Sequence, residues 1–223
     1  MIKNCNLENL IQTNDKHDKS NKHDKHDKHE KKKLYGKVLT PFYFVNEILD
    51  NIPINIYKNP NLKWLDPGTG TGNFSISLYY KLLSALETII QDDEERKNHI
   101  IQNMIFMVEL RHENIEKLKL IFGKHANIYH QDFLTFFPDI TENFDVVIGN
   151  PPFNFNGVKK VPTNIVSQKK ADGHTIWIDF VKKSISLLKP NGIMSIFIPS
   201  IWLKPDKEKM YYYLLQYNIK NLK

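Results

Sequence analysis

The chain lacks the features of a secreted or membrane-spanning protein. It has one cysteine, Cys5, so no internal disulfide framework can form. It contains no run of 18 or more apolar residues and no signal-peptide pattern, so neither a membrane span nor secretion is predicted. With 223 residues it is long enough for one domain with a real core, and we expect an intracellular protein.

Strong positive charge is also missing from most of the chain. The net charge is +6, but residues 15–33 carry eight lysines against four aspartates and one glutamate, which accounts for half of it. The charge alone therefore does not indicate nucleic-acid binding. Residues 15–33 repeat His-Asp-Lys units without apolar residues, and we expect residues 1–33 to form a disordered low-complexity tail.

The most informative motif is a tetrapeptide, Asn150-Pro151-Pro152-Phe153, which directly follows the predicted strand Phe144–Gly149. The two prolines hold the chain extended and donate no backbone hydrogen bond. The side-chain oxygen of Asn150 and the carbonyl of Pro151 can then point together into a pocket as two acceptors for a planar –NH2 group. Phe153 adds an apolar face for a flat ring. A loop that merely ends a buried strand would explain the prolines, but not the asparagine with the aromatic residue.

A glycine-rich turn lies between the predicted strand Leu62–Leu65 and a helical apolar pattern that runs from Ile76 to Ile90. Strand, glycine turn and helix together open a doubly wound nucleotide-binding fold. The G-x-G-x-G spacing differs from the dinucleotide G-x-G-x-x-G, and no Gly-Lys-Ser/Thr follows to hold phosphate. Asp66 precedes the glycines, and a carboxylate suits a cation better than a pyrophosphate. A simple tight turn is the alternative interpretation.

Carboxylates also follow the next two predicted strands. The strand Met104–Val108 is followed by Glu109, where an acid can accept both hydroxyls of a ribose. The strand Asn127–His130 leads to Asp132 and Phe133, an acid that could accept from an exocyclic amine beside an apolar ring. With Asp66, these make three acids at the ends of successive parallel strands, which indicates a ligand crevice. A ligand that is cationic, rich in hydroxyls and carries an adenine amino group fits best, and S-adenosylmethionine has all three features.

These motifs resemble those of the S-adenosylmethionine-dependent amino methyltransferases. The closest likeness is to the DNA adenine-N6 branch in which the cofactor motifs precede the catalytic motif. The resemblance spans roughly residues 35–220, and it implies an α/β fold with a Rossmann-like, doubly wound, mostly parallel sheet of the class I methyltransferase type. It further implies that S-adenosylmethionine is the cofactor, that DNA is the partner and that no metal is required. The protein would then be cytoplasmic or associated with nucleic acid.

The resemblance also assigns roles to individual residues. In that family a Thr-Pro segment upstream of the glycine turn folds over the methionine end of the cofactor, and Gly36–Val45 resembles it. The residues implied to be catalytic are Asn150, Pro151, Pro152 and Phe153. The residues implied to bind the cofactor are Thr40, Pro41, Asp66, Gly68, Gly70, Phe74, Glu109, Asp132 and Phe133.

The carboxyl end departs from the family pattern. Leu187–Leu203 resembles the fifth strand and the residues after it, and a helix is predicted at Lys207–Tyr217 with the start of another strand at Asn218–Lys223. Neither the usual final hairpin nor a target-recognition domain is recognisable. We therefore expect a catalytic domain at residues 34–223 that is truncated at its carboxyl end. A separate target-recognition subunit is the partner that this pattern suggests.

Other substrates for the same tetrapeptide remain open at this stage. RNA adenine-N6 and protein glutamine-amide methyltransferases also use Asn-Pro-Pro-aromatic, because an amide and an aryl amine pose the same hydrogen-bonding problem. A non-catalytic subunit that stabilises or recruits a partner is an alternative of another class.

Apolar spacing predicts three further helices, which lie at Tyr43–Leu49, Ile115–Phe122 and Ile178–Leu188. Pro190-Asn191-Gly192 is expected to stop the last of them. The acidic run Asp92–Glu95 is expected to be an exposed connection. The polar segment 154–174 carries four lysines, and either phosphate contact or a solvated loop would explain it.

Overall fold

The computed structural model describes residues 40–138, 143–154, 175–205 and 209–222. The predicted tail at residues 1–33 and the lysine-bearing residues 155–174 lie outside these ranges, so both stay predictions. The strands are β1 (Trp64–Asp66), β2 (Ile105–Glu109), β3 (Asn127–His130), β4 (Phe144–Gly149) and β5 (Leu188–Ile196). The α-helices are α1 (Phe42–Leu49), α2 (Ile54–Tyr57), α3 (Asn73–Ala85), α4 (Asp93–His99), α5 (His112–Phe122), α6 (Trp177–Ser186) and α7 (Met210–Leu214).

The five strands form one parallel sheet in the order β3-β2-β1-β4-β5. Strand β1 pairs with β2 on one side and with β4 on the other, so the strand order reverses at β1. In an open sheet of this kind the ligand crevice lies at the carboxyl ends of the strands, at this reversal. The structure thus confirms the predicted doubly wound, Rossmann-like sheet.

Side chains alternate between the two faces of the sheet along its central strands. Trp64 and Met107 share one buried cluster with residues of α1, α3 and α5. Leu65 and Val147 belong to a second buried cluster, which includes Phe180 of α6. Because helices cover both faces, the central strands β1, β2 and β4 are apolar at most positions, which is the pattern that made them recognisable in the sequence.

Helix α3 ends at Ala85, before the predicted end of its apolar pattern at Ile90. The carbonyls of Ile90 and Gln91 accept from the guanidinium of Arg96, at 2.7 and 3.3 Å. The arginine that donates to these carbonyls is buried, whereas the side chain of Ile89 is exposed. The apolar residues after Leu86 keep the helical spacing in the sequence, but they are not part of helix α3.

The acidic run Asp92–Glu95 is exposed as predicted, but it begins helix α4 and is not a connection. The Asp92 carboxylate accepts from the backbone N–H of Glu95 at 2.7 Å, which makes Asp92 the N-cap. The acids of the first turn lie where the helix dipole favours negative charge. An aspartate followed three residues later by a glutamate is a helix-start signal, and the sequence interpretation overlooked it.

Pro190-Asn191-Gly192 does not stop a helix but lies within β5, and helix α6 ends earlier, at Ser186. The pairing of β4 with β5 shifts register between Phe144 and Val146, and Asn191 takes a φ of 64°. Asparagine tolerates this left-handed conformation better than most residues. The strand therefore begins with an irregularity that the turn-forming residues accommodate.

The predicted strand at Asn218–Lys223 was wrong, since residues 218–222 form no strand and are exposed. A strand needs a partner edge for its backbone groups, and these residues do not pair with one in the part of the chain that the structure describes. The predicted helix at Lys207–Tyr217 is shorter in the structure, at Met210–Leu214.

No helix among the described residues is long and apolar enough to cross a membrane.

Candidate active site

The glycine loop after β1 is held against the neighbouring strand. Gly70 and Gly72 have φ values of +60° and +96°, in the left-handed region that favours glycine. A β-carbon at Gly72 would lie 2.9 Å from Cδ2 of Leu118, so the loop also packs closely on α5. The backbone N–H of Thr69 donates to the carbonyl of Val108 in β2 at 3.1 Å. The loop thus has one defined shape at the carboxyl end of the sheet.

The Asp66 carboxylate lies beneath this loop and is buried. Its Oδ2 accepts from the Ser75 hydroxyl at 2.9 Å, while Oδ1 has no hydrogen-bond partner among the described residues. Burial raises the pKa of Asp66 to about 7, and the charge of Glu109 acts in the same direction. Hydrogen bonds from Ser75 and the backbone of Gly68 oppose this rise in pKa. Asp66 therefore supports the loop from below, and a cation bound above it would favour its ionised form.

Glu109, at the end of β2, connects that strand to the glycine loop. Its Oε2 accepts from the N–H of Gly70 and its Oε1 from the N–H of Arg111, each at 2.7 Å. The side chain is only 7% exposed. A carboxylate oxygen can accept more than one hydrogen bond, so both oxygens keep capacity for hydroxyl groups. The predicted ribose acid is thus fixed in orientation by the loop itself.

The remaining residues predicted to bind the cofactor divide between surface and core. Asp132 is exposed, and its carboxylate accepts from the N–H of Leu134 at 2.9 Å at the start of a short 3-10 helix. Phe133 is only 2% exposed, and its ring centroid lies 5.1 Å from that of Phe180. Phe74 is also buried in the core. The sequence could not distinguish a ring that faces a ligand from a ring that packs in the core.

The tetrapeptide follows β4 beside the loop. Gly149, which precedes it, has a φ of +146°, and a β-carbon there would lie 3.1 Å from Oδ1 of Asp66. Any side chain at this position would be strained and crowded. The carbonyl of Phe153 accepts from the N–H groups of Ile176 and Trp177, at 3.1 and 3.4 Å. The tetrapeptide is thus fixed at both ends, to β1 and to the start of α6.

The glycine loop and the tetrapeptide lie next to each other. A β-carbon at Gly68 would lie 3.7 Å from Cδ of Pro152 and 3.9 Å from Cα of Pro151. A β-carbon at this position would therefore make ordinary van der Waals contact with both prolines, which places the loop next to the tetrapeptide. A molecule bound on the loop would therefore lie close to the acceptors of the tetrapeptide.

Thr40 lies beside Asn150, a contact that the sequence did not indicate. Nδ2 of Asn150 donates to Oγ1 of Thr40 at 2.8 Å. Nδ2 of Asn73 donates to the carbonyl of Thr40, also at 2.8 Å. Pro41 follows as the N-cap residue of α1. The Thr-Pro segment is thus bonded to the tetrapeptide and to the end of the glycine loop.

Phe197 is a site residue that sequence reasoning missed. Its ring is nearly parallel to that of Phe153, with 11° between the planes and 6.3 Å between the centroids. The Phe197 N–H donates to the carbonyl of Gly149 at 2.9 Å, and the side chain is 43% exposed. One sequence signal was available, because Phe197 follows the strand next to β4 at the same edge of the sheet.

Two other features of the described residues lie apart from this site. A groove of about 880 Å³ runs between α1, α2 and α3, and none of the predicted site residues line it. The described part of the chain contains no group of three or more histidine, cysteine, aspartate or glutamate residues that could hold a metal ion.

Known proteins are similar to this chain in sequence and in fold. Residues 73–222 match the Eco57I restriction-modification methylase family. The chain is 34% identical over 77 residues to an uncharacterized adenine-specific methylase of Mycoplasma pneumoniae, a match covering 33% of this chain and 18% of that protein. It is 25% identical over 135 residues to the tRNA1(Val) (adenine(37)-N6)-methyltransferase of Parabacteroides distasonis, covering 60% and 51% of the two chains.

Among solved structures, the M protein of the type I restriction enzyme EcoKI has a TM-score of 0.54 at 20% identity, covering 75% of this chain and 35% of that one. That likeness shows the fold. The matches span about half or less of the length of these relatives. The family match covers more than half of the present chain and includes the tetrapeptide, which confirms the resemblance inferred from the motifs. This chain therefore belongs to the Eco57I restriction-modification methylase family.

Proposed function

We propose that this chain transfers a methyl group from S-adenosylmethionine to the exocyclic N6 amino group of adenine in DNA. The observation that carries the proposal is the closeness of Gly68 to Pro151 and Pro152, where the strand order reverses. It brings the loop predicted to hold the cofactor beside acceptors suited to an amine. Membership of a restriction-modification methylase family supports DNA as the substrate.

The residues around the loop fit S-adenosylmethionine, which would supply an electrophilic methyl group. Glu109 has lone pairs left after bonding to two backbone N–H groups, and these would accept the ribose hydroxyls. Asp132 is exposed and would accept from the adenine amino group of the cofactor. A cation above the loop would favour the ionised form of the buried Asp66, whose unpartnered Oδ1 would then attract that cation. Gly68 and Gly70 leave room for close approach of the ligand to the backbone.

Asn150 and Pro151 would act on the target nitrogen. The adenine amino group is a poor nucleophile, because its lone pair is delocalised into the ring. When Oδ1 of Asn150 and the carbonyl of Pro151 accept its two N–H groups, they favour a pyramidal nitrogen and stabilise the positive charge that develops there. The methylated nitrogen is acidic, so its proton can leave without a strong base. Placement of the nitrogen next to the methyl donor supplies much of the rate.

Phe153 and Phe197 would hold the target ring. A base in a duplex must leave the stack before it can enter this site. The two nearly parallel side chains offer aromatic faces at the exit of the tetrapeptide, and both are held by backbone hydrogen bonds next to it. Stacking tolerates any flat base, so the choice of adenine would come from the acceptors at Asn150 and Pro151.

Phe153→Ala and Phe197→Ala should each weaken capture of the target base. Loss of a stacking face costs about 1–3 kcal/mol, which corresponds to a rise in KM for DNA of about 5-fold to 150-fold. Phe153→Trp, which keeps a face, should retain more activity than Phe153→Ala. Phe137→Ala is the control, since Phe137 is 77% exposed and lies outside the site. Steady-state kinetics that gave all of these variants the KM of the parent would contradict the stacking role.

Glu109→Gln should weaken S-adenosylmethionine binding by about 10-fold to 150-fold, because an amide nitrogen replaces one of the charged acceptors. We expect the parent to bind with micromolar affinity, on the order of −8 kcal/mol. Glu116→Gln is the matched control, because Glu116 is exposed and paired with Lys119 on α5. Calorimetry that found equal affinity for parent and Glu109→Gln would show that this pocket assignment is wrong. A preference of the parent for NAD would argue against the cofactor itself.

The substrate is tested by incubating the chain with labelled S-adenosylmethionine and separate pools of DNA, RNA and protein, followed by nucleoside and amino-acid analysis. We expect label in N6-methyldeoxyadenosine. The similarity to a tRNA adenine-N6 methyltransferase over 60% of the chain makes RNA the second candidate, and label in the RNA pool would support it. Label on glutamine would indicate a protein substrate. Cofactor binding without transfer to any pool would favour a non-catalytic subunit.

A separate target-recognition subunit is the protein partner that we propose. The described residues form one sheet with its helices, and they contain no second domain that could read a base sequence. Purification of the tagged chain from its native lysate should recover a DNA-binding partner, and transfer to DNA should rise when that partner is added back. A chain that methylates a defined sequence on its own would contradict this proposal.

A further inference from the structure

The reaction proposed above requires one orientation of the Asn150 side chain. A carboxamide has an acceptor end and a donor end, and only Oδ1 can accept from an amino group. If the amide turned by half a rotation, Nδ2 would face the target –NH2 and two donors would oppose each other. A residue that engages one end of this amide therefore decides whether the site can bind an amine.

Thr40 engages the donor end. The distance of 2.8 Å from Nδ2 of Asn150 to Oγ1 of Thr40 is that of a good hydrogen bond, and the contact is partly buried. With Nδ2 held by Thr40, Oδ1 is the end that remains for the target nitrogen. The two residues are 110 positions apart in the chain, so the contact depends on how α1 and β4 are packed together.

Thr40 is itself fixed in place. Its carbonyl accepts from Nδ2 of Asn73 at 2.8 Å, and Oδ1 of Asn73 accepts from the Thr71 hydroxyl at 3.3 Å. Asn73 is the first residue of α3, directly after the glycine loop. Pro41 also restricts the backbone of Thr40 to extended conformations. A continuous chain of contacts therefore runs from the glycine loop through Asn73 and Thr40 to Asn150.

We propose that Thr40 is a positioning residue, which accepts from Nδ2 of Asn150 and thereby presents Oδ1 to the target amine. Asn73 holds Thr40 in the position that this requires. The inference rests on the proposed function, because it concerns the same amine-binding site. It gives the Thr-Pro segment a role toward the target in addition to the predicted one toward the cofactor, and it couples the order of the glycine loop to the orientation of the amide.

The hydrogen bond is tested first, by a measurement that needs no substrate. In nitrogen-15 NMR spectra of the full chain, the side-chain amide of Asn150 is assigned from its loss in Asn150→Ala. We expect its hydrogens to exchange slowly with water in the parent and in Thr40→Ser, which keeps the hydroxyl. They should exchange faster in Thr40→Val, which has the same shape without the hydroxyl. Equal exchange in the parent and Thr40→Val would overturn the proposal.

Kinetics then test the role. Thr40→Val should lower kcat by about 10-fold to 10²-fold, in the range that misplacement of a reacting group can cost. Its KM for DNA should stay close to the parental value, and Thr40→Ser should recover most of the lost rate. Because Thr40 acts through Asn150, Thr40→Val should add no further loss to Asn150→Ala. These results together would support the positioning role.

Three kinetic outcomes have other meanings. A Thr40→Val chain with weaker cofactor binding and parental kcat would overturn positioning and leave Thr40 as a cofactor contact. An additional loss in the Asn150→Ala background would overturn it as well, because Thr40 would then act independently of Asn150. A parent that transfers no methyl group to DNA, RNA or protein would overturn the proposed function and the positioning role with it.

Discussion

Asn150→Ala should lower the rate of methyl transfer by about 10²–10³-fold and leave S-adenosylmethionine binding near the parental affinity. The substitution removes one of two preorganised acceptors for charge that develops on the target nitrogen. The acceptor that the substitution removes is Oδ1, which faces the substrate in the proposed reaction. The other end of the amide, Nδ2, is bonded to Thr40 in the structure. The contacts proposed between the cofactor and Glu109 or the glycine loop do not involve Asn150, so the substitution leaves them in place.

Single-turnover rates at saturating cofactor, together with calorimetry, measure the two effects separately. Asn103→Ala is the matched control, since Asn103 is exposed and bonds to His99 just before β2, at the opposite edge of the sheet. It should behave as the parent in both measurements. A parental rate in Asn150→Ala on the parental substrate would show that the mechanism argued from this tetrapeptide is wrong.

Asp66→Asn should flatten the pH dependence of folding stability between about pH 4 and pH 7. Burial raises the pKa of Asp66 to about 7 in the folded chain, whereas an unfolded aspartate has a pKa of about 3.9. Between these values the folded chain keeps a proton that the unfolded chain has released. The stabilisation is therefore complete below about pH 4 and is lost as the pH rises through about 7, by a total on the order of 4 kcal/mol.

Urea unfolding at a series of pH values measures this effect in the ligand-free chain. Contributions that the parent and the variant share cancel in the difference between the two curves, which therefore reports on Asp66 and its coupling to Glu109. Asp179→Asn is the control, because Asp179 is exposed in the first turn of α6. Its curve should run parallel to that of the parent. A parallel curve for Asp66→Asn would mean that Asp66 ionises in the folded chain as it does in the unfolded one.

The central sheet was predictable because its evidence is local. The central strands are short and largely apolar, and the predicted bounds of Asn127–His130 and Phe144–Gly149 are those of the structure. Successive strands joined by helices imply a parallel sheet, and a parallel sheet brings the strand ends to one edge. Asp66, Glu109 and the tetrapeptide could thus be placed together without coordinates.

Element ends were less predictable, because they depend on single hydrogen bonds. Helix α3 ends at Ala85 although the apolar spacing runs to Ile90, and the carbonyls of Ile90 and Gln91 accept from the guanidinium of Arg96. Helix α4 starts where Asp92 caps it, although the acidic run looked like a loop. Both segments contain hydrogen bonds between a side chain and the backbone, and apolar spacing does not reveal such bonds.

By itself the sequence determined which functional groups are available: an Asn-Pro-Pro-Phe tetrapeptide after an apolar strand, a glycine turn and acids at successive strand ends. Only the tertiary structure decided which of these groups face the crevice. It buried Phe133 in the core and Asp66 beneath the loop, and it brought Phe197 and Thr40 to the tetrapeptide. The reason is physical, because motif spacing reports on neighbours along the chain, whereas a ring face or an amide orientation is set by residues that only folding brings into contact.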